Sequence, residues 1–212
     1  MLAGRLLLRH WARLSLLMTL GAALYGAVLG QWHGPRLAAY VALKLPLVLL
    51  ITSALTLLLS WIVAQLLGLP LSFGQVAVLI FLGLASGSVL LAALCPVAWL
   101  FTASAPPPTA AARTAHNLLY LMHTGFVAGC GLAGSRVLRD ALRATGRPSE
   151  VTARVYWAWI GIYAFVGGEV AWALRPFVGS VYHAIVFLRD DALQGNVYEF
   201  IFTDILPHLL SR

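Results

Sequence analysis

The sequence predicts an all-α fold: a polytopic membrane helix bundle of about five transmembrane helices with a C-terminal amphipathic helix. Three observations carry it. Between Lys44 and Arg113 lie 68 consecutive residues without Asp, Glu, Lys or Arg. A bilayer's hydrocarbon core is about 30 Å thick and a helix crosses it with roughly 20 apolar residues, so this run alone holds two crossings and a hairpin. The 212 residues are 61% hydrophobic and only 10% charged, with a mean hydropathy of +0.88, which leaves no material for a soluble domain beside the spans. Finally, the basic residues gather between the apolar runs, where they hold orientation. The net charge of +7 therefore reads as loop charge. Nucleic acid is not an expected partner, and residues 1–212 read as a single integral membrane domain.

The first span, about 14–30, lies within the 22 uncharged residues between Arg13 and Arg36. Arg5, Arg9 and Arg13 precede it as in a signal-peptide n-region. Its apolar part is long for a signal and no small-x-small site follows, so the span is expected to be retained. The second, about 37–67, carries Lys44 and Pro46 near its start and ends at Gly68-Leu-Pro-Leu-Ser-Phe-Gly74, where Gly and Pro interrupt the helix. In the third, about 75–101, Pro96 is expected to kink one end. Ala105-Pro-Pro-Pro108 is a stiff extended linker. The fourth span, about 115–135, occupies the 22 uncharged residues between Arg113 and Arg136. The fifth, about 155–174, contains Glu169 and stops at Arg175-Pro176.

Residues 177–212 read as an interfacial tail. Phe177–Leu188 is apolar but short for a crossing. From Asn196, a helix cap with reciprocal Glu199 leads into Val197, Phe200, Ile201 and Ile205 at helical spacing. This predicts a short amphipathic helix ending near Pro207, lying on the membrane or against a partner subunit.

Five crossings put Arg5, Arg9, Arg13, Arg136, Arg139, Arg143, Arg147 and Arg154 on one side. Arg36, Arg113, Arg175, Arg189 and Arg212 fall on the other. The richer side is expected to be cytoplasmic, with the N-terminus cytoplasmic and the C-terminus extracytoplasmic. Arg136, Arg139, Arg143 and Arg147 form a lipid-facing basic loop in this reading, suited to anionic headgroups.

Few residues are suited to chemistry. An ionisable group inside a span costs roughly 2.5–3.5 kcal/mol on insertion scales and usually has a partner. Lys44 lies eight residues after Arg36 and Glu169 six before Arg175, each on the order of 10 Å below one surface. They are the candidate intramembrane ion pair, structural or ion-conducting. His116 and His123 share a helix face, whereas a bis-histidine haem takes ligands from opposite sides. With His33 and His183 they make no ligand-spaced cluster, so no cofactor or metal is expected. Ser86 and His123 lack the setting of an intramembrane serine dyad, and no paired-Asp, zinc or phosphate-loop motif is present. Gly26/Gly30, Gly83/Gly87 and Gly125/Gly129 are small-residue pairs expected to let helices approach closely. Cys95 and Cys130, inside apolar spans, read as packing residues.

Leu24-Tyr-Gly-Ala-Val-Leu-Gly30 with Tyr40-Val-Ala-Leu-Lys-Leu-Pro-Leu47 resembles a group of uncharacterised bacterial multi-pass membrane proteins. So does Phe165-Val-Gly-Gly-Glu-Val-Ala-Trp-Ala-Leu-Arg-Pro-Phe-Val-Gly179 with Gly195-Asn-Val-Tyr198. The resemblance covers most of the chain, and the Leu-Arg-Pro-Phe-Val-Gly run is its more specific part. The position of Glu169 is often neutral and polar in that group, so the resemblance implies no catalytic role for it. Leu58–Val78 is more loosely similar to Yip1-type membrane domains, which are also bundles of about five spans. Both imply fold and location without a reaction. The expected function is a non-enzymatic subunit or scaffold of a larger bacterial inner-membrane assembly, with other membrane subunits and the bilayer as partners. The alternatives are a small transporter or ion conductor using Lys44 and Glu169, and a haem-binding redox subunit.

Overall fold

Long runs of Leu, Ala, Val and Ile without charge favour helices that satisfy their own backbone groups, and helices are what form. The computed structural model describes residues 2–179, 185–200 and 203. Helix α1 spans Leu2–Gly30, α2 Pro35–Leu66, α3 Phe73–Ala93, α4 Cys95–Ser104, α5 Arg113–Arg143, α6 Ser149–Ala173 and α7 Val197–Phe200. Single 3-10 turns cover Gln31–His33 and Ala110–Ala112, and the described residues contain no strand.

Four stretches are long and apolar enough to cross a membrane: Leu6–His33, Pro35–Leu66, Phe73–Ala93 and Arg113–Arg143. The expected fifth, α6, has 25 residues but is not among them. Its tryptophans, tyrosines and glycines, with Glu169, lower its mean hydropathy. The expected third span is two helices. Leu94 closes α3, and Pro96 opens α4, where its missing N–H costs nothing and its fixed φ suits a first turn. Pro46, by contrast, sits inside α2 without ending it.

Local chemistry sets the other ends. The Ser72 side chain accepts from the Gln75 N–H and the Gln75 side chain accepts from the Ser72 N–H, a reciprocal cap that starts α3. After α2, Gly68 takes φ +85°, which an L side chain resists. Helix α5 runs beyond the expected 115–135, so Arg136, Arg139 and Arg143 stand on its last turns and only Arg147 lies in the connection to α6. Arg9 and Arg13 likewise belong to α1. Of the expected reciprocal cap on α7 one half is seen, the Asn196 side-chain oxygen accepting from the Glu199 N–H at 2.7 Å. The rest of the predicted amphipathic helix, Ile201 to Pro207, lies outside the described residues apart from Thr203, as do residues 180–184 of the Phe177–Leu188 run.

Glycine contacts set how the helices pack. A Cβ on Gly26 would sit 2.5 Å from the Val41 carbonyl oxygen, and one on Gly30 2.7 Å from that of Leu37, so α1 and α2 run antiparallel with backbones touching. A Cβ on Gly21 would sit 2.5 Å from the Ser88 carbonyl, placing α3 along α1 in the same direction. Gly83 and Gly87 of α3 meet Gly134 and Cys130 of α5, again antiparallel. Gly125 and Gly129 are not used in this way: among the described residues nothing lies within 4 Å of a Cβ on either. Helix α5 uses its Cys130–Gly134 face against α3, and Gly125 and Gly129 fall on another part of its circumference.

Two buried clusters lie at opposite ends. Met18, Ala64, Leu69, Val76, Phe81, Leu142, Val155 and Trp159 belong to one, which gathers the connections α2–α3 and α5–α6. Tyr25, Leu29, Leu37, Val41, Leu91, Ala98, Cys130 and Val178 belong to the other, beneath the chain leaving α6.

These contacts separate glycines that hold helices together from glycines that do not. Gly134→Leu should destabilise the bundle by about 1–3 kcal/mol, since the added side chain meets the Gly83 backbone. Gly125→Leu should change stability by less than about 1 kcal/mol, the scale of helix propensity alone. Thermal unfolding midpoints of both variants in one detergent check the difference. A Gly125→Leu midpoint as low as that of Gly134→Leu would contradict it.

Candidate functional site

The polar groups inside the bundle define three cross-helix sites, and Lys44 anchors the first. Lys44 is fully buried on α2. Its Nζ donates to the Pro176 carbonyl oxygen at 3.1 Å and lies 5.3 Å from the Phe187 ring centroid and 5.9 Å from that of Phe177. The ammonium is thus held by a backbone acceptor and two ring faces, each favourable to a desolvated cation. These groups come from the described residues after α6, Pro176 and Phe177 on one side and Phe187 on the other. Gly179, at φ +79°, lies against His33, and its carbonyl contacts His116 Nε2 at 3.0 Å. Tyr40 meets Phe187 edge-on at 5.4 Å. Farther along, Asp191 accepts from Arg189 at 2.8 Å and from Arg175 at 3.3 Å. The Arg189 hydrogen bond, with both guanidinium charges, holds the Asp191 carboxyl below the usual carboxylate range.

The expected ion pair is not formed: among the described residues no salt bridge joins Lys44 to Glu169. Register is the reason. Trp159 lies against Ser60, Tyr163 against Ser53 and Gly167 against Thr52, so α2 and α6 run antiparallel with Lys44 opposite the end of α6, past Glu169. The offset is about one helical turn, roughly 6 Å along the axis. Counting inward from Arg36 and Arg175 hides this offset, because neither arginine marks a common plane. Glu169 faces the start of the tail instead. Tyr198 donates to the Phe165 carbonyl at 2.9 Å and stacks on the Phe165 ring at 4.9 Å. Partial burial and then the Glu169 charge push its phenol up from the ordinary value.

The second site joins α1, α4 and α5. Tyr25 Oη and His123 Nδ1 are 2.8 Å apart, and Thr102 Oγ1 lies 3.4 Å from His123 Nε2. All three residues are buried. Thr102 gives its hydrogen to the Ala98 carbonyl at 2.7 Å, so a neutral His123 ring donates from Nε2 and accepts from Tyr25 at Nδ1. His116 and His123, one face in the sequence reading, reach different partners.

The third site is a polar stripe on α2. Thr52, Ser53, Thr56 and Ser60 are buried. Trp159 of α6 donates to the Ser60 carbonyl at 2.8 Å and Tyr163 hydrogen-bonds Ser53. Sequence reasoning missed this stripe, although Thr52, Thr56 and Ser60 at four-residue spacing signal a helix face turned to another helix. The Pro176 carbonyl had no such signal beyond the orphan acceptors that every helix end carries.

The basic side chains form no closed site with these groups. Arg139 and Arg143 open instead onto a cleft of about 110 Å³ at the α5–α6 corner, lined also by Thr152, Ala153, Tyr156 and Trp157. Cys95 and Cys130 are free thiols. No group of three or more His, Cys, Asp or Glu side chains suited to a metal occurs among the described residues.

Since Lys44 and Glu169 do not meet, exchanging them should not compensate. Lys44→Glu should be strongly destabilising, by about 3–5 kcal/mol, because it buries a carboxylate facing a carbonyl. Lys44→Met should cost less, about 1–3 kcal/mol, because it removes the buried charge but leaves the Pro176 carbonyl without its donor. The double variant Lys44→Glu with Glu169→Lys should behave as the sum of its parts, within about 0.5 kcal/mol. Unfolding in detergent of the wild type, Lys44→Met, Lys44→Glu, Glu169→Lys and the double variant tests this, and a rescue of about 1 kcal/mol or more would mean that the charges pair.

No family model, curated protein or solved structure matches this chain.

Proposed function

We propose that this protein is a non-enzymatic integral membrane subunit or scaffold of a larger assembly in a bacterial inner membrane. In this reading α6 is a fifth crossing, the N-terminus is cytoplasmic and the C-terminus is extracytoplasmic. The carrying observation is the contrast among the glycine pairs. Gly26/Gly30 and Gly83/Gly87 are covered by neighbouring helices of the same chain, while nothing among the described residues covers Gly125 and Gly129 on α5. An open small-residue face on a helix at the edge of a bundle lets another helix approach closely. The buried polar residues support the same reading, since they join helices to one another: Tyr25 to His123, Trp159 to Ser60, Lys44 to Pro176. The resemblance to bacterial multi-pass proteins through Leu174-Arg-Pro-Phe-Val-Gly179 agrees with the location.

The ion-conducting alternative loses the Lys44–Glu169 pair on which it relied. The haem alternative has less to build on as well, because both His123 ring nitrogens and His116 Nε2 already have partners within the fold.

Two measurements test the proposal. Full-length protein extracted from its native membrane should carry other membrane proteins with it, and the variant Gly125→Leu with Gly129→Leu should lose them at an unchanged unfolding midpoint. Full-length protein that purifies alone and moves ions in liposomes would replace this reading with transport. For orientation, a cysteine placed at Ala144, with Cys95 and Cys130 changed to Ala, should react with an impermeant reagent only after the membrane is opened. Reaction in intact cells reverses the topology.

A further inference from the structure

The cleft at the α5–α6 corner is not used by the bundle's own packing. Arg139 and Arg143 stand one turn apart on the same face of α5, and both line the cleft. Arg139 Nε is shielded from solvent and has no hydrogen-bond partner, so its guanidinium has donor capacity left. The adjacent carboxylate, Asp140, is 67% exposed and stands 3.9 Å from Arg139 Nε and 3.8 Å from Arg143. Contacts that long in water hold little, and one carboxylate against two guanidiniums leaves the cleft positive. Glu150, in the first turn of α6, is outnumbered by Arg136, Arg147 and Arg154 around the same corner. On the wall, Thr152 donates to the Ser149 carbonyl at 3.0 Å and Tyr156 to Ser135 at 3.2 Å, and the Trp157 indole adds one further N–H donor. What the cleft offers a ligand is therefore chiefly a pair of guanidiniums, whose fork geometry suits the oxygens of a phosphate.

One wall is apolar and open. Trp157 is 67% exposed, and the face of α6 that carries Ala153 and Trp157 continues through Gly161, where no described residue lies within 4 Å of a Cβ. An exposed tryptophan beside an arginine pair, with a smooth helix face leading away, matches the headgroup, ester and acyl levels of a lipid. We propose that this cleft seats the phosphodiester of an anionic glycerophospholipid, held by Arg139 and Arg143, with Trp157 against the glycerol backbone and an acyl chain along Ala153 and Gly161. The inference rests on the chain being a membrane protein.

The test titrates full-length protein in dodecyl maltoside with phosphatidylglycerol and counts adducts by native mass spectrometry. Phosphatidylcholine and glycerol 3-phosphate serve as comparators. Phosphatidylglycerol should be retained over phosphatidylcholine. Arg139→Gln with Arg143→Gln should weaken it by about thirtyfold, the scale of two basic residues at an anionic surface. Arg136→Gln with Arg147→Gln removes equal charge and should weaken it by less than about threefold. Ala153→Leu, which fills the cleft and keeps every charge, should also weaken binding, and it carries the test if the arginine variants do not fold. Equal losses for the two arginine pairs, or no effect of Ala153→Leu, would show a diffuse basic surface and overturn the seat. Displacement of phosphatidylglycerol by equimolar glycerol 3-phosphate would assign the cleft to a soluble phosphate and overturn the lipid. Release of the protein from membranes by alkaline carbonate would overturn the membrane reading itself, whereas retention without lipid selectivity overturns the seat alone.

Discussion

Backbone contact at glycine is the constraint on which the rest of this structure depends. Where Gly26 and Gly30 face Val41 and Leu37, and where Gly83 faces Gly134, two helices touch without side chains between them. Such contacts tolerate almost no sliding, because a shift of one residue brings a Cβ into a carbonyl oxygen. They fix the register of α1 on α2 and of α3 on α5, with α3 laid along α1 at Gly21 and Ser88. Between apolar surfaces of nearly uniform composition, little else discriminates one register from the next.

Register then decides which polar groups meet. Lys44 has the choice of any acceptor at its level, and the antiparallel match of α2 with α6 puts the Pro176 carbonyl there and Glu169 a turn away. The ammonium is satisfied by a carbonyl and the faces of Phe177 and Phe187, with no desolvated carboxylate required. A buried ion pair would have had to overcome the desolvation of two charges. One buried cation on neutral groups has only one to overcome. The described residues after α6 are consequently tied to α2 by Lys44 and Tyr40, to α5 by His116 and to the α1–α2 turn by His33. They strap one end of the bundle.

The two ends differ in kind. The strapped end contains the Tyr25–His123–Thr102 network and Trp32, whose indole donates to the Pro106 carbonyl at 2.9 Å. Trp32 is therefore buried and ties the α1–α2 turn to the proline-rich linker. The opposite end carries Arg9 and Arg13 of α1, Arg136, Arg139 and Arg143 of α5 and the cleft beside Trp157. Polar links close the first end, while a surplus of guanidiniums leaves the second open to an anion.

The sequence by itself determined the helices and most of their limits. Uncharged runs bounded by Arg13, Arg36, Arg113 and Arg136, the Gly68–Gly74 break and the proline-rich linker at 105–108 are local signals, and hydropathy and backbone chemistry act locally. The Asn196 cap was legible for the same reason. Tertiary structure alone decided partners. Gly26/Gly30 and Gly125/Gly129 have the same spacing, yet among the described residues one pair is covered and the other is not, because which side of a helix is used depends on where its neighbours stand. Lys44 and Glu169 looked matched in depth, yet the packing of Ser53 on Tyr163 and Ser60 on Trp159 sets them a turn apart. Pairing across helices is a property of the register between them, and register comes from surfaces of two helices, backbone at the glycines and side chains elsewhere, meeting in three dimensions, which no spacing within one helix records.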